Sequence, residues 1–379
     1  MNRLPLELAA LATAAVPGLS PNQVAPSADD VEDFDAAVLR DEQDRLWRVR
    51  SPKHPEASLR LETEFQVLSA LSAQVRAALS FTVPSVAGTT RNFGLTTFVY
   101  SHFDGELVDL DDLAFEASSY GPGIGKAIAS LHNANLELDQ FASIPRYDAD
   151  EYRGRKLNEL DQIATSSKVP PLLLKRWENV LEDVGLWRFN PTVVHGDLHE
   201  ENLYFSNREV RAVTGWSELK VADPAEDFAW LIAASDPTLR DEVLKAYRDV
   251  RHEKVDEHIE ARAAFHAEFA LARWLAKGVA TKNEHTIIEA QDMMDSLVAD
   301  IEEQQRLKDE AEQSRLAAIA ERERADRADR EAEPATAGAS VSEDRAAAAP
   351  AETDSEPETS AIPTVPLTPP TQPKDTKNP

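Results

Sequence analysis

Apolar residues recur along this chain with two different periods, and the change from one to the other divides it. Leu4 to Leu19, rich in Ala and Leu, reads as an amphipathic helix that stops at Pro17-Gly18. Asp35-Ala-Ala-Val-Leu-Arg40 and Arg45-Leu-Trp-Arg-Val-Arg50 alternate apolar and polar positions around Asp41-Glu-Gln-Asp44, which predicts a β-hairpin with a polar turn. Leu61, Phe65, Leu68 and Leu71 then fall on one helical face. Leu95-Thr-Thr-Phe-Val-Tyr100 predicts another strand, ended by a turn at Asp104-Gly105. From Gly123 helical spacing dominates, through Leu172 to Val184 and on to Ile301. The pattern therefore predicts a smaller mixed lobe over residues 1–100 and a larger helical lobe over 101–301.

Beyond Ile301 the character changes. Glu302 to Glu333 has helical propensity but few apolar residues, chiefly Leu307, Leu316 and Ile319, so a charged solvent-exposed helix supported by pairs at i, i+4 is expected. Residues 334–379 carry nine prolines and no aromatic side chain. Such a segment buries too little apolar surface to offset its ordering entropy, so it is expected to be a disordered acidic tail.

Composition narrows the chemistry. The 379 residues include no cysteine, which excludes disulfides, thiolate metal sites and cysteine nucleophiles. A net charge of -28 disfavours nucleic acid and anionic membrane as partners and is compatible with a cationic small molecule. Pro5 and Glu7 interrupt the apolar stretch that a signal peptide needs, and no run is long enough for a membrane span, so a cytoplasmic location is expected.

The most informative stretch is Val193-Val-His-Gly-Asp-Leu-His-Glu-Glu-Asn-Leu-Tyr204. An Asp and an Asn separated by four residues across a short loop suit phosphoryl transfer, the first accepting a hydroxyl proton and the second holding a metal ion. His195 and His199 also invite a zinc reading, but Gly196-Asp197 follows a strand-like Val193-Val194 and no Glu follows His195, so the pair lacks the helical metalloprotease pattern.

This loop resembles the catalytic loop of the aminoglycoside/macrolide phosphotransferases, a family that is similar to choline kinase. The resemblance implies an α+β, two-lobed protein-kinase-like fold, with a small β-containing N-lobe and a larger helical C-lobe. It assigns Asp197 as catalytic, His195 and Asp227 as loop support, and Asn202 as a Mg²⁺ ligand. Arg50 in Arg48-Val-Arg-Ser-Pro52 stands where the family has its phosphate-contacting lysine, and Glu64 where a helix glutamate pairs with it. Phe98 to Gly105 resembles the hinge, with Val99 and Ser101 as nucleotide-binding positions. Asp223-Pro-Ala-Glu-Asp-Phe-Ala-Trp-Leu231 resembles the segment that opens the next helix.

Departures from the pattern bear on mechanism. Gly215 occupies the place of the second metal-binding aspartate and offers no carboxylate. Glu218 or Asp223 is a candidate substitute, although Asp before Pro is also a favoured helix cap. Arg50 replaces a point donor with a planar fork, and Ala28 to Ala37 contains no glycine to cover phosphates. The reading favoured by the intact Asp197/Asn202 pair is transfer of the γ-phosphate of ATP or GTP to a hydroxyl of an antibiotic-like or metabolite acceptor, with metal binding impaired. The alternatives are a pseudokinase that keeps the fold as a binding or regulatory protein, and an interaction protein that uses the charged helix.

Overall fold

The computed structural model describes residues 4–27, 29, 33–103, 105–134, 144–234 and 237–332. Helix α1 (Pro5–Ala15) starts with Pro at its first turn, and the Glu7 carboxylate accepts a hydrogen bond from the Leu4 amide at 3.0 Å, which satisfies a donor that the helix itself leaves free. The hairpin forms as the alternation requires. Strand β2 (Phe34–Asp41) follows β1 (Pro21–Pro26) and pairs antiparallel with β3 (Leu46–Pro52), Ala37 opposite Val49. Asp41 closes the turn by accepting hydrogen bonds from the Gln43 and Arg45 amides and from Trp47 Nε1. Burial alone would raise its carboxyl, but these donors outweigh it and hold the group at about 2.

Helix α2 (Pro55–Ala70) and the short α3 (Ala73–Ala78) precede β4 (Val86–Asn92) and β5 (Leu95–Ser101). The strands complete a five-stranded antiparallel sheet in the order β1-β2-β3-β5-β4. Side chains along a strand alternate between faces. Ala37, Leu39, Val49 and Val99 therefore pack on Leu8 and Ala12 of α1, whereas Phe98 and Tyr100 join Leu61 and Leu68 of α2 on the other face. Arg48 lies opposite Tyr100 and Arg50 opposite Phe98, so both arginines share this second face.

The second lobe begins with α4 (Leu110–Phe115) and α5 (Ala117–His132), followed by α6 (Ala149–Ala164) and α7 (Pro171–Glu182). Three short strands carry the central loops: β6 (Thr192–Val194), β7 (Leu203–Ser206) and β8 (Glu209–Val213). A fourth, β9 (Lys220–Ala222), pairs antiparallel with β6, while β7 pairs with β8. The segment Pro224–Ala233 is a 3-10 helix capped by Asp223, not an α-helix. Helices α8 (Pro237–Val250) and α9 (Ile259–Thr281) both pack against it, and α8 also packs along α5.

The last helix, α10 (Glu284–Ala332), runs unbroken through the position where the sequence suggested a boundary at Ile301. Its first turns bury Ile287, Ala290, Met294 and Leu297 on the α9 side, and from Gln305 to Ala325 every residue is exposed. The chain thus has the two-lobed, kinase-like α+β fold, a small antiparallel sheet lobe followed by a helical lobe. The expected disordered tail of 334–379 lies outside the described residues, as does Asp104 of the expected turn. Among the described residues no helix is long and apolar enough to cross a membrane.

Candidate active site

The loop from His195 to Asn202 leaves the buried strand β6 and is pinned from below. Asp227 is fully buried and accepts three hydrogen bonds there: the His195 amide at 2.9 Å, the Gly196 amide at 2.9 Å and His132 Nε2 at 3.0 Å. Burial alone would raise this carboxyl, but the His132 hydrogen bond and the adjacent imidazoles hold it below the ordinary carboxylate value. His195 is itself buried, which pushes its imidazole down and keeps it neutral. Its Nε2 faces the Thr214 carbonyl at 2.8 Å and so carries the proton, leaving Nδ1 to accept from the Asp197 amide at 3.4 Å. Both ring nitrogens are engaged, so His195 is not a zinc ligand. Gly196 has φ +80°, and a Cβ there would stand 2.6 Å from both the Glu218 carbonyl and Lys220 Nζ. Only glycine fits this crossing of the loop over β9.

Above the brace, the Asp197 side chain is exposed and makes no hydrogen bond among the described residues. Its backbone carbonyl accepts from Asn202 Nδ2 at 2.9 Å, which turns Asn202 Oδ1 towards Thr214 Oγ1 at 3.4 Å. Gly215 follows with φ +83°, and a Cβ on it would lie 2.6 Å from Asn202 Oδ1. The place that a side chain at 215 would take is therefore filled by the Asn202 amide.

Mg²⁺ demands octahedral oxygen ligation and is commonly held through one or two carboxylates together with substrate phosphates. Around Asn202 the protein offers an amide oxygen and a hydroxyl. Among the described residues no group of three or more His, Cys, Asp or Glu converges as a metal site. The residues present do not fit a Mg²⁺ held by the protein itself. Neither candidate substitute alters this. Asp223 is completely buried and accepts from Ala225 N at 3.0 Å, Arg262 Nε at 2.9 Å and His266 Nε2 at 3.0 Å, and its carboxyl sits at about 2 because the Arg262 charge outweighs burial. That is a structural helix cap, which corrects the metal assignment. Glu218 is exposed and lines a different hollow with Gln66, Tyr147 and Lys220.

The cleft between the lobes is lined by Asp29, Arg48, Arg50, Ser101, Asn202 and Gly215, among others. Arg50 does not stand free in it. Its Nε and Nη2 form a fork on the two Asp29 oxygens at 2.7 and 3.0 Å, and Nη1 donates to Glu64 Oε2 at 2.8 Å. Burial pushes the guanidinium down, but the Asp29 and Glu64 carboxylates outweigh it and hold it well above its ordinary value. Arg48 Nη2 reaches the same Asp29 at 3.3 Å. Glu64 also accepts from Tyr100 Oη at 3.2 Å and from the Trp216 amide at 3.2 Å.

Two hinge assignments come out differently from each other. Ser101 lines the cleft, yet its amide donates to the Ser85 carbonyl at 2.8 Å, and the His102 amide donates to the Leu46 carbonyl at 2.9 Å. Val99 is corrected: it is fully buried on the opposite face of the sheet against α1 and does not line the cleft. The sequence reading missed Asp29, Arg48 and Thr214. Arg48 was detectable, because position 48 shares a strand face with Arg50.

This two-lobed fold, with a braced His-Gly-Asp loop whose far end, Asn202, lines an interlobe cleft, is of the phosphotransferase type. The chain belongs to the phosphotransferase enzyme family (APH), whose pattern matches residues 29–265. It is similar to the uncharacterized protein YcbJ of Bacillus subtilis (strain 168), 24% identical over 256 residues that span 63% of this chain and 80% of that protein. Among solved structures it resembles the apoenzyme of macrolide 2'-phosphotransferase MphH from Brachybacterium faecium, with a TM-score of 0.63 and 20% identity over 76% of this chain and 97% of that one. It also resembles the GDP and kanamycin complex of an APH(2") enzyme, with a TM-score of 0.63 and 17% identity over 78% of this chain and 99% of that one.

Proposed function

We infer that this protein transfers the γ-phosphoryl group of ATP or GTP to a hydroxyl of a small molecule, with Asp197 as proton acceptor. One observation carries the reading. Among the described residues the Asp197 carboxylate has no hydrogen-bond partner, while the loop that carries it is pinned at His195 and Gly196 by the buried Asp227 and closed by Asn202 on the Asp197 carbonyl. A carboxylate held rigidly and left without a protein donor is suited to take a proton from a substrate. The hydroxyl oxygen attacks the γ-phosphorus as its proton passes to Asp197. The bond from that phosphorus to the β,γ-bridging oxygen breaks, and the nucleoside diphosphate leaves with the electron pair.

Support for the donor comes from family membership and from the GDP in a structural neighbour. Support for a hydroxyl-bearing acceptor comes from the macrolide and aminoglycoside enzymes of the same fold, and the net charge of -28 is compatible with a cationic one. No step is routed through a metal ion, because the residues around Asn202 and Gly215 do not build a site for one. The deciding experiment is a nucleotide-consumption assay of ATP and GTP against panels of macrolides, aminoglycosides and amino alcohols. Acceptor-dependent turnover that Asp197→Asn lowers by roughly 10²- to 10⁴-fold is expected. Undiminished turnover in that variant removes Asp197 from its role.

A further inference from the structure

We propose that Asp29 is an internal stand-in for a phosphate group, and that Arg48 and Arg50 together form a polyphosphate-binding site from which an incoming ligand displaces it. The proposal rests on the reading above in taking the nucleotide polyphosphate as that ligand.

The first observation is the fork. Arg50 grips both oxygens of Asp29, and Arg48 reaches the second oxygen from two residues earlier on the same strand face. Planar bidentate recognition of this kind suits phosphate and carboxylate alike. The second is burial. The side chains of Asp29, Arg48 and Arg50 are 9%, 12% and 13% exposed, so the two cations face each other with little water to screen them. Two like charges in such a place are stabilised by anions beside them, here Asp29 on both arginines and Glu64 on Arg50. The third is position. The cluster lines the same cleft as Ser101, Asn202 and Gly215, between the hinge and the catalytic loop. Glu64 takes Nη1 of Arg50 and leaves the forked edge, Nε and Nη2, to Asp29.

A nucleotide phosphate cannot reach that edge while the carboxylate is there. A phosphate offers more acceptor oxygens and more charge than one carboxylate, so it is able to replace the contacts that Asp29 makes to Arg50 Nε, Arg50 Nη2 and Arg48 Nη2. With no metal-holding carboxylate at Gly215, this pair of arginines also supplies the positive charge that the cleft itself brings to the phosphates.

The test is calorimetric titration of the full chain with ATP, GTP, tripolyphosphate and adenosine. Wild type is compared with Asp29→Ala and with the shape-preserving Asp29→Asn, each checked for an intact thermal transition. Both variants are expected to bind ATP or GTP and tripolyphosphate at least about tenfold more tightly than wild type, while adenosine, which has no phosphate, gains nothing. Arg48→Ala placed on Asp29→Asn should remove most of that gain.

Equal nucleotide affinity in wild type and variants overturns the proposal and leaves the phosphotransferase reading standing. An equal gain for adenosine also overturns it, since the cleft has then merely loosened. Tighter tripolyphosphate binding with no nucleotide binding in any form upholds the anion site and overturns the nucleotide-donor reading. Folded variants that bind no polyphosphate at all overturn it.

Discussion

Glu64, on a helix of the small lobe, accepts a hydrogen bond at 3.2 Å from the backbone amide of Trp216, 152 residues further along the chain. The same carboxylate holds Arg50 and Tyr100, so one side chain ties the strand of the arginines to the loop that carries Gly215. Trp216 is anchored in its turn by stacking on Phe81 and by meeting His195 edge-on at 4.8 Å between ring centres. A continuous set of contacts thus connects the cleft lining to the buried His195 at the base of the 195–202 loop.

Truncating this link should be costly. Glu64→Ala leaves three buried donors without their acceptor and is expected to lower unfolding free energy by about 3–5 kcal/mol, as for a broken buried ion pair. Glu64→Gln keeps an acceptor oxygen and should lose clearly less. Urea denaturation of the two variants beside wild type reads the difference, and equal losses would show that the charge, not the hydrogen-bond geometry, is what matters.

Asp197 and Asp227 should separate activity from stability. Asp197→Asn alters an exposed side chain that has no hydrogen-bond partner among the described residues, so its thermal transition should stay within about 0.5 kcal/mol of wild type while turnover collapses. Asp227→Ala strips the acceptor from two loop amides and from His132, and should destabilise by roughly 3 kcal/mol or more. Melting curves for both variants, with turnover for the first, check the contrast.

Acid should reveal Asp223. Its carboxyl titrates at about 2 in the folded protein against 3.8 when unperturbed, so the folded state prefers it ionised. The stability gained is complete above the unfolded value and is lost as pH falls from about 3.8 towards 2. It amounts to about 2 kcal/mol. In Asp223→Asn that share of the acid-side decline should vanish, measured as unfolding free energy against pH.

Gly215→Asp, the substitution that would restore the family pattern, should not restore a metal site. The backbone at φ +83° and the Asn202 amide at 2.6 Å both oppose a side chain there, and the variant should lose about 1–3 kcal/mol. Mg²⁺ alone should leave the melting temperature of wild type and variant unchanged. A metal-induced rise in the variant would mean that Asn202 turns aside to make room.

Elements whose signal is local were legible in the sequence. The hairpin of β2 and β3 announced itself through alternation around a polar turn, and the catalytic loop through its residue spacing. Strands β1 and β4 were not legible, because Pro21–Pro26 is short and begins and ends in proline and Val86–Asn92 is largely polar with no fully buried residue, although each pairs with the next strand in the chain. Val99 was misplaced for a physical reason: strand parity puts 98 and 100 with Arg50, and 99 against α1. Asp29 carried no signal at all, since its role depends on two arginines that folding brings to it. Gly215 was legible as a missing carboxylate, but only the structure shows the Asn202 amide standing in the vacated space.

Helix α10 has a consequence for the shape of the molecule. At 1.5 Å per residue, the stretch from Glu302 to Ala332 adds a spar of about 45 Å to the α9 side of the large lobe. From Gln305 to Ala325 that spar stands exposed, and the protein should diffuse and scatter as a body with a handle rather than as a sphere.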